Sequence, residues 1–88
     1  MKAIWKFPLA QEDWQDIAMP ADAKILCVQV QYGIPCMWAM VDVDAPKVAR
    51  CFSTYGTGHE HVYMQGTYIG TYQLINGAIV FHVFEQSP

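Results

Sequence analysis

Charge is what this chain has least of. Only 15% of its 88 residues are Asp, Glu, Lys or Arg, against about 25% in an average soluble domain. Five basic residues face eight acidic ones, for a net charge of −3. There is no basic run: Lys2 and Lys6 form the closest cluster. Duplex nucleic acid bound through phosphate neutralisation is therefore excluded as an expectation, and anionic membranes are disfavoured for the same reason. No segment approaches the roughly 18 consecutive apolar residues of a membrane-spanning helix. The opening Met1-Lys2-Ala3-Ile4-Trp5-Lys6-Phe7-Pro8 lacks the apolar stretch of a signal peptide, so a cytoplasmic location is expected.

Cysteine is also sparse. Cys27, Cys36 and Cys51 are odd in number, and their spacing fits neither a disulfide framework nor a zinc site. Among apolar neighbours they read as buried or half-buried free thiols, since a free Cys behaves as a small hydrophobe. No apolar stripe of helical period runs longer than about two turns. There is no internal repeat and no linker, so residues 1–88 read as a single domain.

Apolar residues, by contrast, make up 53% of the chain. A chain of this length buries about 64% of its unfolded surface on folding. That leaves some aromatic side chains exposed and favours a homo-oligomer or a ligand surface.

What the sequence does have is strand signal. Short β segments are expected at 3–7, 14–19, 24–32, 36–43, 50–55, 67–75 and 78–85. In the third, Leu26, Val28 and Val30 alternate with Cys27, Gln29 and Gln31, the period of a half-buried antiparallel strand. Tyr32-Gly33-Ile34-Pro35 is a tight connection. Its return strand sets Trp38 and Met40 on one face and Met37, Ala39 and Val41 on the other. In the sixth, Tyr68, Tyr72 and Leu74 share a face. Asn76-Gly77 is the strongest hairpin signal, because both residues tolerate positive φ. The class is all-β, a small antiparallel barrel or sandwich of six to seven short strands.

The most informative stretch is Tyr55-Gly56-Thr57-Gly58-His59, with Arg50 five residues upstream. Two glycines one residue apart free the backbone, and outward N–H groups can cradle an anion. Arg50 could clamp a phosphate, and Tyr55 or His59 could stack on a ring. The spacing is neither that of a P-loop nor that of a dinucleotide-binding fingerprint. The structural reading is a glycine-rich turn with Tyr55 packed and His59 solvated, and both readings stay open. Arg50 and Thr54 fall on one side of their strand, Cys51, Ser53 and Tyr55 on the other. Gln29 and Gln31, flanked by Trp38, are either a solvated strand face or an edge-reading pair; Gln31 and Trp38 are carried as candidate ligand contacts.

His59-Glu60-His61 would point two imidazoles the same way on an extended segment, but zinc needs a further ligand. His82, among Val80, Phe81, Val83 and Phe84, reads as a packed, hydrogen-bonded residue. No metal and no cofactor is expected. Asp42 and Asp44 read as turn residues. No nucleophile–base pair or carboxylate pair stands out, so the chain is read as a non-enzyme. Tyr63, Tyr68 and Tyr72 are the tyrosines expected to reach a surface; Trp14 is counted with the core aromatics.

Several segments carry a family likeness: Met1-Lys2-Ala3-Ile4-Trp5-Lys6-Phe7-Pro8-Leu9, Ala23-Lys24-Ile25-Leu26-Cys27-Val28-Gln29-Val30-Gln31, Pro35-Cys36-Met37-Trp38-Ala39, Tyr55-Gly56-Thr57-Gly58-His59 and Tyr68-Ile69-Gly70-Thr71-Tyr72. Together they resemble an uncharacterised family of short proteins from phage and prophage genomes. The resemblance implies a small cytoplasmic accessory protein made during infection, of the kind that counters bacterial defence. The expected function is sequestration of a nucleotide-like anionic small molecule without catalysis. The alternatives are inhibition of a host defence enzyme through an aromatic, acidic face and, more remotely, a metal-dependent hydrolase using His59, His61 and His82.

Overall fold

The computed structural model describes residues 1–87. Among the described residues seven antiparallel strands follow one another without a helix: β1 (Lys2–Pro8), β2 (Trp14–Pro20), β3 (Lys24–Gln31), β4 (Ile34–Asp42), β5 (Lys47–Gly56), β6 (Thr67–Leu74) and β7 (Ile79–Gln86). They form two sheets, ordered β1-β4-β3 and β2-β5-β7-β6. The sheets do not close on one another, so of the two expected architectures the sandwich is the one adopted.

Local chemistry explains the strand ends. Pro8 and Pro20 close β1 and β2, each at the edge of its sheet, where a missing N–H costs least. The β3–β4 turn has Tyr32 at φ 51° and Gly33 at φ 77°, the two positive angles of a type I′ hairpin. Strand β4 therefore starts at Ile34, two residues before its expected start. The β6–β7 turn places Asn76 and Gly77 at φ 53° and 86°, closed by the Ala78 amide donating to the Ile75 carbonyl at 3.0 Å.

The inner faces meet in one core. Leu9, Met19, Val28, Met37, Ala39, Val41, Phe52, Tyr72 and Val83 are buried in it, and Trp5, Phe7, Ile17 and Phe81 pack around them. Each fully buried side chain of this kind contributes about 2 kcal/mol through apolar burial. The sheets approach closely where β6 crosses β3: a Cβ on Gly70 would stand 3.0 Å from Val28 Cβ.

Two bulges change faces that strict alternation assigns wrongly. Pairing of β3 with β4 slips between Ile25 and Cys27. Val28 and Val30 keep their inward places, but Leu26 is turned out and is 45% exposed. Pairing of β6 with β7 slips between Tyr68 and Gly70. Tyr72 and Leu74 then face the core while Tyr68 stands on the opposite face. An extra residue in one strand reverses the parity beyond it. Tyr72 is thus buried, whereas Tyr63 and Tyr68 do reach the surface. Trp14 is also exposed rather than part of the core, because it opens an edge strand on the outer face. The three cysteines are free, Cys36 buried and the others half-buried.

Candidate functional site

The outer face of β2-β5-β7-β6 carries the site. Tyr55 pairs with His82 across β5 and β7, Ser53 with Phe84, and Thr71 of β6 with His82. Directly paired residues share a face, so Tyr55, His82, Phe84 and Thr71 stand together. The chain leaves β5 at Gly56 and returns across this face as an irregular segment, 57–66, before entering β6. Two contacts hold that strap down. The His61 ring packs edge-on against Tyr55 at 4.7 Å, and the Gln86 side chain donates to the Gln65 carbonyl at 2.8 Å.

The strap begins with a tight turn. The His59 amide donates to the Gly56 carbonyl at 3.2 Å, and Gly58 has φ +82°, the positive angle of a type II turn at its third position. The His59 ring lies over Gly56, so close that a Cβ there would fall 2.6 Å from Nδ1. Both glycines are thus required, for different reasons.

Between turn, strap and sheet lies a cleft of about 270 Å³ lined by Tyr55, Gly56–His59, Met64, Tyr68, His82 and Phe84. Phe84 makes edge contacts at 5.5 Å with Tyr55 and Tyr68. A hydrogen-bond chain runs along its floor. Tyr68 Oη is 2.6 Å from Thr71 Oγ1, Thr71 Oγ1 is 2.9 Å from His82 Nδ1, and His82 Nε2 is 2.6 Å from Thr57 Oγ1. The Thr57 hydroxyl faces the Val80 carbonyl at 3.5 Å, which can only accept. Each hydroxyl can donate or accept, so the chain is satisfied by either His82 tautomer, its direction set by which ring nitrogen carries the proton.

The candidate residues fall into two groups. Tyr55, Gly56, Thr57, Gly58 and His59 meet in the cleft; Arg50, Gln31 and Trp38 do not. Arg50 is five residues from Tyr55, an odd separation, so the two side chains lie on opposite faces of β5. Arg50 points between the sheets. Its Nε and Nη2 donate to the two Glu85 oxygens at 2.6 and 2.7 Å, and Nη1 donates to the Ala23 carbonyl at 2.5 Å. The Glu85 hydrogen bond raises the guanidinium above its ordinary range, against the effect of burial. All three donor nitrogens are engaged, so Arg50 is a strut from β5 to β7 and to the turn before β3, and no clamp for the cleft. The amide cradle is also smaller than the glycines suggest: the Thr57 amide donates to Val80 O at 3.1 Å and the His59 amide to Gly56 O. Gln31 and Trp38 sit on the other sheet, where Gln31 accepts from Lys6 Nζ at 3.0 Å.

Among the described residues no three His, Cys, Asp or Glu side chains come together as a metal site. His61 is turned to Tyr55, His59 lies on Gly56, and His82 is hydrogen-bonded on both nitrogens. Asp42 does behave as a turn residue, accepting from the Asp44 amide at 3.1 Å. Sequence reasoning missed Tyr68, Met64 and Phe84 as cleft residues and Thr71 as the link between Tyr68 and His82; of these, Tyr68 and Thr71 left a trace in the sequence. The bulge at Tyr68 hid the first. A threonine paired opposite a histidine was the signal for the second.

The model of a family described as Domain of unknown function (DUF7352) matches residues 1–88. The chain belongs to that family. No curated protein and no solved structure matches it.

Proposed function

We propose that this DUF7352 protein is a non-catalytic binding protein that holds the ring-bearing end of a nucleotide-like small molecule in the Tyr55–His82 cleft. The observation that carries this reading is the cleft's lining. Three aromatic rings and two imidazoles surround a hollow that also offers a hydrogen-bonded Tyr68 oxygen. Ligand sites for whole drug-sized molecules span about 300–1,000 Å³, so 270 Å³ suits one base or ring. The remainder of a larger nucleotide would extend over the 56–59 turn, past the Gly58 amide. Recognition then rests on stacking and on hydrogen bonds to the ring. With Arg50 engaged by Glu85, a phosphate is a secondary feature. The resemblance to phage and prophage proteins supports a counter-defence use, in which holding a nucleotide-derived signal removes it from circulation.

Thermal-shift and calorimetric titrations with adenosine, AMP, cyclic dinucleotides and cyclic ADP-ribose test the reading. The expected result is that adenosine and AMP bind within about threefold of one another, a difference of under 1 kcal/mol. Tyr68→Ala and His82→Ala abolish the shift, and Arg50→Met retains it in the folded fraction. Absence of any nucleoside effect, or binding governed by inorganic phosphate alone, overturns it. A second reading, inhibition of a host protein, is favoured by the strap itself, whose Val62 and Tyr63 are almost fully exposed.

A further inference from the structure

The outer face of β1-β4-β3 has a composition unlike the rest of the chain. Lys2, Ile4 and Lys6 of β1 stand opposite Asp42, Met40 and Trp38 of β4. Lys24 of β3 stands on the other side of Met40, and Cys27 on the other side of Trp38. Three of the chain's five basic residues are thus gathered on one sheet face of a protein whose net charge is −3. Among the described residues none of the three lysines has a carboxylate partner. The one acid of this face, Asp42, is occupied at its corner by the N-terminal ammonium at 3.4 Å and by the Asp44 amide. Between the lysines lie exposed aliphatic side chains: Ile4 is 62%, Leu26 45% and Met40 36% exposed.

We infer that this face is a docking surface for an extended acidic protein segment, one that sets carboxylate and aliphatic side chains in turn at every second residue and lies along β1. Three features fix the occupant. First, β1 is an edge strand, with one side of its backbone open to a further strand. Second, residues two apart on a strand share a face at a spacing of about 7 Å. Lys2, Ile4 and Lys6 therefore form a basic–apolar–basic row that an acidic–apolar–acidic strand complements. Third, the row selects against other partners. A second copy of β1 would bring lysine against lysine, and like charges directly opposite destabilise a pair. Single-stranded nucleic acid binds through successive stacking on aromatic faces along a positively charged groove, whereas this face offers one half-buried indole, Trp38, on a chain of net charge −3. This surface is on the opposite side of the sandwich from the ring-binding cleft and does not depend on it.

The test is an NMR titration of the ¹⁵N-labelled protein with a synthetic Glu-Val peptide of repeat Glu-Thr-Val-Thr, which sets Glu and Val in turn along one face of an extended strand. The same peptide with Lys for Glu, a thymidine oligonucleotide and anionic phosphatidylglycerol vesicles are run in parallel. The expected result is perturbation of β1 amides and of Lys24 and Met40, with affinity falling as salt rises. A Lys2→Gln, Lys6→Gln, Lys24→Gln triple variant should weaken the Glu-Val peptide roughly tenfold or more with little change in Tm, since all three side chains are exposed and no like charges are set opposite one another. No perturbation, equal binding of the Lys-Val peptide, or tighter binding of the oligonucleotide or the vesicles overturns the inference. So does a salt-sensitive dimer that competes with the peptide in sedimentation.

Discussion

The outer face of β2-β5-β7-β6 is roofed by the chain's own 57–66 strap, whereas that of β1-β4-β3 is open. The roofed face is built from rings and hydroxyls that bond one another. The open face is built from lysines and aliphatics that bond almost nothing. A sheet face that has its own partial cover can shape an open-mouthed cleft, which suits a small ring. A face without cover offers a broad surface instead, which suits another chain. On the two proposals made above, the same fold presents two kinds of recognition surface, and the strap is what separates them.

The sharpest way to break this contrast is to lift the strap. Gly66, its last residue, has φ +110°. A Cβ there would lie 2.7 Å from both the Glu85 carbonyl oxygen and Gln86 Nε2. Gly66→Ala carries backbone strain of about 1–3 kcal/mol together with a clash against main chain. A total loss near 3 kcal/mol is expected by chemical denaturation, the largest effect among these variants. Amide exchange should quicken across 57–66 while β1, β3 and β4 stay protected. Uniform loss of protection in both sheets would mean that the strap is integral to the core and that the contrast between the faces is false.

The next test concerns the strut that Arg50 forms: its pair with Glu85 joins β5 to β7 within one sheet, and its bond to the Ala23 carbonyl reaches the turn before β3. Arg50 and Glu85 are about one-fifth exposed, so removing one partner leaves the other largely desolvated. A deeply buried pair broken in this way costs about 3–5 kcal/mol. With partial exposure Arg50→Met should cost about 2 kcal/mol. The strut reading requires that Glu85→Gln in the Arg50→Met background add little further, because the interaction is already gone. A stability unchanged by Arg50→Met would show that the pair is not a strut.

Much of this architecture was legible in the sequence because period-2 alternation and turn chemistry are local properties. The Asn76-Gly77 turn, the inward Met37, Ala39 and Val41, and the irregular stretch after His59 follow from neighbours alone. Leu26 and Tyr68 did not, because each depends on a bulge, and a bulge is decided by what the opposing strand and sheet accept. At Gly70 the deciding neighbour is Val28, more than forty residues away in sequence. The linkage of Arg50 to the cleft failed for a simpler reason. Alternation had already placed Arg50 and Tyr55 on opposite sides of β5, and proximity along the chain is no substitute for a shared face. The partner that claims Arg50, Glu85, comes from β7, and only the strand order brings it there.

The smallest expected effect lies at the corner of the open face and tests how little its charges bind within the chain. The Asp42 carboxyl is held below its ordinary value of 3.8, chiefly by the Asp44 amide, with slight desolvation opposing and the N-terminal ammonium assisting. A folded value below the unfolded one means that the ionised form contributes stability above about pH 4. That contribution is lost as pH falls through the folded value. Asp42→Asn keeps an acceptor for the Asp44 amide but removes the charge. Its Tm should trail the wild type slightly at pH 6, and the gap should close by pH 3. High salt should narrow the gap at pH 6, because the ammonium contact is fully solvated. A gap that persists at pH 3 would assign the effect to turn geometry and not to charge. It would also remove the reason for treating Asp42 as already occupied, leaving a free carboxylate on the face inferred to receive an acidic strand.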